Sequence, residues 1–173
     1  MDKFAKKIHA NCADDLHPGE QVAAAAYVQP PGVLLPTILI TAVPLAIGAV
    51  FLGAIGGAIG AAIGFIAAQA LASKLVSRGA GEGMAAAVPG GNAVLAVTDR
   101  RLLVFGHNTM SGKPQGLQAQ YTLDQVHSIA VTKGKMTGSL AVTFADGSTS
   151  SFDVAKTAKP EPFVAAFQQL TGR

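Results

Sequence analysis

Four side chains near the start of the chain belong to types that bind metal ions: His9, Cys12, Asp15 and His17. Zinc sites are usually built from closely spaced pairs such as Cys-x-x-Cys or His-x-x-x-His, and neither spacing occurs here. Ligand types without ligand spacing are weak grounds for a site. We therefore predict no bound metal, and nothing else in the sequence indicates a cofactor.

The side chains suited to covalent or acid–base catalysis are serines and histidines in the second half of the chain. Ser148, Ser150 and Ser151 cluster on one predicted strand, but a serine nucleophile needs a base held beside it. Neither His107 nor His127 has a carboxylate partner visible in the sequence. The aspartates of this half fall at predicted turns and strand edges, where Asp is an ordinary turn former. We predict that the protein is not an enzyme.

A glycine-rich run at residues 79–83 has the composition of a phosphate-binding loop. Such a loop follows a strand, opens a helix and usually contains a lysine. This run instead follows a predicted helix and leads to a strand, so we interpret residues 79–84 as a linker.

Basic side chains near turns, or flanking the long apolar segment, are the candidate contacts to anionic lipid headgroups or to a protein partner. They are Lys3, Lys6, Lys7, Lys74, Arg78, Arg100, Arg101, Lys133 and Lys135. The alternative is that these charges only keep the turns soluble. The formal net charge of +3 is too small to predict a nucleic-acid partner.

The element around which these residues are arranged is an uncharged apolar segment. No charge occurs between residues 21 and 73, and residues 33–68 are almost entirely apolar. Because one membrane span needs about 20 apolar residues, we predict a transmembrane helical hairpin over residues 33–78, with arms at 33–51 and 54–72 and a turn near Gly53. A buried core helix of a soluble protein is the alternative.

Small residues recur every four positions along the second arm, in the manner of a glycine zipper. Gly56, Gly60, Gly64 and Ala68 lie on one face, and Gly53 and Gly57 on the adjoining one. Such stripes let helix backbones approach closely, so we predict helix packing and a homo-oligomer through these residues. The hairpins could also form a conduit or carrier for an apolar lipid or quinone.

Charge asymmetry predicts the orientation of that hairpin. Lysines precede it and Lys74 and Arg78 follow it, whereas its turn has no charge, which places both termini and the folded domain on the cytoplasmic face of the cell (inner) membrane. The single Cys12 is compatible with a reducing compartment.

Residues 1–16 predict a short amphipathic helix with Phe4 and Ile8 on one face. This helix either lies on an anionic membrane surface or packs on the folded domain with its lysines in water. A strand follows within residues 17–32, and after residue 85 the hydrophobic period changes to two, which predicts six more strands and a closing helix at Phe163, Phe167 and Leu170.

Three segments and the closing helix resemble a bacterial pleckstrin-homology-like (PH/GRAM-like) domain. They are VLAVTDRRLLVFG at 94–106, YTLDQVHSIAV at 121–131 and GSLAVTFADGSTSSF at 138–152. The resemblance implies an α+β fold, namely a seven-stranded, partly open barrel formed by residues 17–32 and 85–173 and capped by the C-terminal helix. The hairpin would be inserted between its first and second strands, which requires an even number of membrane crossings.

The resemblance implies a non-catalytic binding or scaffold module held at the membrane. Its expected partners are a protein, a second copy of the chain, or anionic lipid. The basic loop with which eukaryotic pleckstrin-homology domains bind inositides has no counterpart here, because the apolar segment occupies its place.

Overall fold

The computed structural model describes residues 3–32, 82–134, 137–155 and 159–172. Apart from Gly32, these residues lie in one compact unit, which is assembled from the parts of the chain on both sides of residues 33–81.

Four antiparallel strands form the larger sheet, in the order β1-β2-β3-β4. They are β1 (Val22–Val28), β2 (Ala93–Thr98), β3 (Arg101–Asn108) and β4 (Lys113–Thr122). All six residues of β2 are buried, as expected for a continuous apolar run that is covered on both faces. Strand β1 pairs with β2, with Val28 opposite Ala93, although residues 29–92 separate the two strands in sequence.

Three antiparallel strands form the smaller sheet, in the order β5-β6-β7. They are β5 (Val126–Thr132), β6 (Thr137–Phe144) and β7 (Thr149–Ala155). Buried and polar residues alternate along β6, where Leu140, Val142 and Phe144 face the core. The Asp146-Gly147 turn connects β6 to β7, and Gly147 adopts the positive φ of 82° that such turns require.

The two sheets are connected by a 3₁₀ turn and by a backbone bridge. A 3₁₀ turn at Leu123–Gln125, closed by a capping box between Thr122 and Gln125, separates β4 from β5. The backbones of Gln29 and Asp153 exchange two hydrogen bonds of 2.9 and 2.8 Å and so join the end of β1 to β7. Between the sheets lies one apolar core, to which the C-terminal helix contributes Phe163 and Phe167.

Two α-helices complete the described part of the chain: α1 (Lys3–Asn11) and α2 (Glu161–Thr171). Helix α1 buries Ala5 and Ile8 against the outer face of the larger sheet, where they meet Leu103 and Phe105. Of the two environments considered for this helix, packing on the folded domain is the one observed, with Lys3 and Lys6 in solvent.

The predicted fold class is wrong as a whole. The described residues form two antiparallel sheets of four and three strands and two α-helices of 9 and 11 residues, and no transmembrane hairpin is seen among them. In these ranges no helix is long and apolar enough to cross a membrane, a crossing that takes about 20 apolar residues. The segment that prompted the prediction, residues 33–78, lies outside the described residues.

The predicted inner-membrane location is corrected on the same finding. That location, the cytoplasmic placement of both termini and the description as a membrane protein all required membrane-spanning helices, and the described ranges contain none. The glycine stripe predicted to drive oligomerisation and the apolar conduit also fall outside these ranges.

Candidate functional site

The basic residues predicted to contact lipid or a partner do not form a single patch. Lys3, Lys6 and Lys7 lie on α1, Arg100 and Arg101 lie at the β2–β3 turn, and Lys133 follows β5. Lys74, Arg78 and Lys135 are outside the described residues.

Arg101 is buried, and its charge is matched by a buried carboxylate. Its side chain makes a bidentate contact with Glu20, through Nε to Oε1 at 2.8 Å and Nη2 to Oε2 at 2.7 Å. Only 6% of Arg101 and 5% of Glu20 are exposed. Nη1 also donates to Gln120 and Nη2 to the carbonyl oxygen of Asp15. Arg101 is therefore a structural residue and is not available to a partner.

Hydrogen bonds to Glu20 complete this buried network. The Thr98 hydroxyl donates to Oε1 at 2.7 Å, and the His17 backbone N–H donates to Oε2 at 2.8 Å. The hydrogen bonds from Arg101 outweigh burial and lower the pKa of Glu20 to about 2, and Glu20 in turn raises the pKa of Arg101. Both groups are charged throughout the physiological range, as a paired buried arginine and carboxylate should be.

A cavity of about 350 Å³ opens at the end of the smaller sheet, beside the start of α2. We call it the β5–α2 cavity. It is lined by Val131, Lys133, Gly134, Gly138, Val154, Ala155, Pro160 and Glu161. Among the described residues of this lining, the side chains are aliphatic except those of Lys133 and Glu161.

Those two residues form an ion pair at the cavity. Lys133 Nζ lies 3.0 Å from Glu161 Oε1, and both side chains remain half exposed or more. The backbone amide of Glu161 itself, followed by Lys133, lowers the pKa of this carboxyl. Glu161 is also the first residue of α2, and the helix dipole favours a negative charge at this end.

Two glycines shape the wall of the cavity. A Cβ atom at Gly134 would collide with the Thr137 carbonyl oxygen, and one at Gly138 would lie 2.9 Å from the carbonyl oxygen of Thr132. The tight connection between β5 and β6 therefore requires glycine, and as a result this wall presents backbone in place of side chains.

Gly83 and Met84, the last two residues of the predicted 79–84 linker, belong to a docked turn. Gly83–Ala87 forms a 3₁₀ turn whose Met84 N–H donates to Asp146 Oδ2 at 2.7 Å and whose Ala85 N–H donates to Ser148 Oγ at 3.1 Å. The Tyr121 hydroxyl donates to the Met84 carbonyl oxygen at 2.9 Å. The turn is thereby attached to both sheets, and Ala85 is buried in the core.

The residues considered for catalysis are placed apart from one another. The Ser148 hydroxyl donates to Asp146 Oδ1 at 2.6 Å, which is a turn contact. His107 lies in the other sheet, with its ring 4.5 Å from that of Tyr27. Burial lowers the pKa of His107, the Lys7 ammonium lowers it further, and the Gly112 backbone opposes both effects.

The residues with metal-binding side chains give no ligand set in the described ranges. No group of three or more His, Cys, Asp or Glu side chains there is arranged to hold a metal ion. Cys12 is buried beneath α1, and burial raises the pKa of its thiol. Asp15 Oδ2 instead accepts a hydrogen bond of 3.2 Å from the Leu117 N–H.

Comparison with solved structures finds a weak similarity to a crystal structure of a DUF1696-family protein with a pleckstrin-homology domain from Shewanella loihica PV-4. The TM-score is 0.36 and the sequence identity 11%, over 46% of this chain and 70% of that one. The match is in keeping with the resemblance predicted from the sequence, at the level of fold at most, and carries no further argument. No protein-family model and no curated protein matches the chain.

Proposed function

We propose that this chain is a non-catalytic binding module that takes a short segment of a protein partner into the β5–α2 cavity. The observation that carries the proposal is the cavity itself, whose volume of about 350 Å³ is at the lower end of the range found for ligand pockets. A space of that size accommodates one large apolar side chain with its flanking backbone.

The chemistry of the lining supports a peptide over a free anion. The positive charge of Lys133 is already balanced by Glu161 at 3.0 Å, so an anion would have to displace that carboxylate from the helix terminus. The aliphatic side chains of Val131, Val154 and Ala155 in the lining suit an apolar side chain of the peptide. The exposed backbone at Gly134 suits the amides of an extended segment, as in other cases of peptide recognition.

The non-catalytic part of the proposal is supported by how the candidate hydroxyls are used. Ser148 donates to Asp146 and accepts a hydrogen bond from the Ala85 N–H, and Ser150 donates to the Ala85 carbonyl oxygen. These contacts account for the two hydroxyls by a structural role, which is to hold the Gly83–Ala87 turn in place.

The test is a selection of peptide ligands combined with a substitution that fills the cavity. A phage-displayed library of random peptides of about twelve residues, long enough to occupy such a groove, is selected on the full chain. Affinities of the selected peptides are then measured by fluorescence anisotropy for the wild type and for Ala155→Phe, which places a phenyl ring in the cavity. We expect Ala155→Phe to weaken binding at least about tenfold, which is the loss expected for a blocked hot-spot pocket.

Ala130→Phe is the matched control, because Ala130 is exposed and is absent from the cavity lining. It should leave the affinities within about twofold of the wild type. Far-ultraviolet circular dichroism establishes that both variants are folded. The proposal is abandoned if no peptide is selected, or if the selected peptides bind Ala155→Phe as well as they bind Ala130→Phe.

A further inference from the structure

A second surface lies where α1 meets the tip of the β3–β4 hairpin, on the larger sheet. Lys7 Nζ donates to the Gly112 carbonyl oxygen at 2.5 Å and so fixes the helix against this tip. Lys3 precedes Lys7 by one helical turn, Lys6 is adjacent to it, and Lys113 follows Gly112. We call Lys3, Lys6, Lys7 and Lys113 the basic face.

The basic face has no nearby acidic residues in the sequence of its own elements. Neither α1 nor the chain from Arg101 to Thr122 contains an Asp or a Glu. Within the described residues, the ion pairs found all lie elsewhere, at Asp99, Glu20 and Glu161. The four ammonium groups therefore produce a local positive potential, which attracts an anionic partner.

One large apolar side chain projects beside these charges. Met110 is 96% exposed, yet its backbone is held firmly. Asn108 Oδ1 accepts hydrogen bonds from the Met110 N–H at 2.9 Å and the Ser111 N–H at 3.1 Å, and the Gly112 N–H donates to the Asn108 carbonyl oxygen at 2.8 Å. A flexible thioether on a fixed turn can fill an irregular apolar pocket of a partner without any ordering of the loop.

The aromatic ring in contact with Lys7, that of Phe4, is already engaged within the protein. Phe4 stacks on Tyr27 with 6.1 Å between ring centroids, and Lys7 Nζ lies 5.5 Å from the centre of the Phe4 ring. Of these side chains, only Met110 is exposed as a large apolar group. Point charges around one apolar side chain suit a discrete protein segment, whereas insertion into a bilayer surface requires a broad apolar face.

We infer that the basic face and Met110 form a docking surface for an acidic segment of a protein partner, one in which carboxylates flank an apolar position. This surface is separate from the β5–α2 cavity, so the module would hold two segments at once or two parts of one partner. Charge complementarity supplies long-range attraction, and Met110 supplies a short-range contact that is insensitive to salt.

The inference is tested with two synthetic peptides, a glutamate-rich peptide with a central leucine and the same peptide with serine in its place. Binding to the full chain is measured by fluorescence anisotropy at about 0.05 and 0.5 M salt, which bracket weak and strong screening. We expect the leucine peptide to bind more tightly than the serine peptide. Met110→Ser should remove that difference, and K3Q/K6Q/K113Q should weaken both peptides at least about tenfold at low salt. Lys7 is retained because it holds the hairpin tip.

The variant R100E/K159Q is the control, because it removes the same net charge of three from exposed residues that line neither site and should change the affinities by no more than about twofold. Ala155→Phe should also bind both peptides normally, which separates this inference from the proposed function. The inference is overturned if neither peptide binds, or if the control variant R100E/K159Q loses as much affinity as K3Q/K6Q/K113Q. It is also overturned if phosphatidylglycerol vesicles bind through the same lysines while the peptides do not.

Discussion

At the scale of single residues, the most constrained group in the described structure is the Glu20 carboxylate. It is buried, and it receives hydrogen bonds from Arg101, Thr98 and the His17 backbone. Removing one partner of such a pair leaves an uncompensated charge in a medium of low polarity, which is much more unfavourable than the loss of a surface pair. The network therefore stabilises the fold because each charged group in it has its partner.

Glu20→Gln should lower the free energy of unfolding by about 3 kcal/mol, because the Arg101 cation stays buried without its counter-charge. The measurement is urea unfolding followed by circular dichroism. Arg100→Gln is the matched control: Arg100 is the neighbouring arginine, and its pair with Asp99 is exposed and 3.7 Å long. It should change stability by no more than about 0.5 kcal/mol. Equal effects of the two substitutions would contradict the structural role of Glu20.

The same pair predicts a specific dependence of stability on pH. The pKa of Glu20 falls from its ordinary 4.5 to about 2 in the folded protein, so between these values the unfolded chain binds more protons. Its contribution is complete above pH 4.5 and is lost as the pH falls towards 2. Unfolding free energies measured across this range should fall more steeply for the wild type than for Glu20→Gln. Parallel curves would show that Glu20 is not the responsible group.

The contrast between Arg100 and Arg101 shows what the sequence can predict at this scale. Both were interpreted as accessible turn residues, and nothing in their local sequence separates them. Strand alternation places Arg101 on the same side as Leu103 and Phe105, which is the side that α1 covers. The distinction depends on contacts with Glu20 and Asp15, which lie more than 80 positions earlier in the chain, and such long-range packing leaves no local pattern.

At the scale of elements, period-two patterning was sufficient for several strands. The alternating pattern of the sequence predicts strands at Ala93–Thr98 and Val126–Thr132, and both are observed with these bounds. The polar, glycine-bounded sequence of residues 107–116 predicts a flexible loop, but β3 continues to Asn108 and β4 begins at Lys113. Pro114 and Gly116 are unfavourable inside strands, so the sequence does not predict β4 here. Both are tolerated because β4 is at the edge of its sheet.

The sequence does not predict the docked Gly83–Ala87 turn, because its first two residues fall in the glycine-rich segment interpreted as a linker and its anchors are distant in sequence. Gly83→Ala tests the docking, since Gly83 has a φ of 61° and a Cβ there would collide with the Asp146 carboxylate. The substitution should lower the free energy of unfolding by about 1 to 3 kcal/mol. It should also speed hydrogen exchange at the Met84 and Ala85 amides, which donate to Asp146 and Ser148.

Gly91→Ala is the matched control for that substitution. Gly91 has ordinary backbone angles and no atom within 4 Å of a Cβ placed there, so alanine should be neutral or stabilise by up to about 1 kcal/mol. A Gly83→Ala variant that exchanges these two amides at the wild-type rate would show that the turn is not held by its contacts with the smaller sheet.

At the scale of the whole molecule, the described unit is built from two separated parts of the chain. The compact unit contains the residues before position 32 and those after position 79. Deleting residues 33–81 and joining the ends through a short Gly/Ser linker should therefore leave a folded, strand-rich domain, because the free energy of closing a loop depends only weakly on its length. Amide signals of Gln29 and Asp153, whose backbones are hydrogen-bonded, report correct assembly by nuclear magnetic resonance.

A fragment that starts at residue 82 is the control for this deletion. It lacks α1 and β1, which cover one face and one edge of β2, so we expect it to aggregate or to remain largely unfolded. If this fragment folds as stably as the joined protein, the first strand is dispensable and the unit does not depend on both parts of the chain.

The pairing of Glu20 with Arg101 also has a consequence for synthesis. The two residues are 81 positions apart, and at about 5 to 20 residues per second a ribosome adds Arg101 roughly 4 to 16 seconds after Glu20. During that interval the nascent chain contains β1 (Val22–Val28) but not β2, its pairing partner. An unpaired apolar strand is a template for association with other chains. Translation speed between β1 and β2 therefore determines how long each new chain is exposed to mispairing, and a pause in that stretch lengthens the exposure directly.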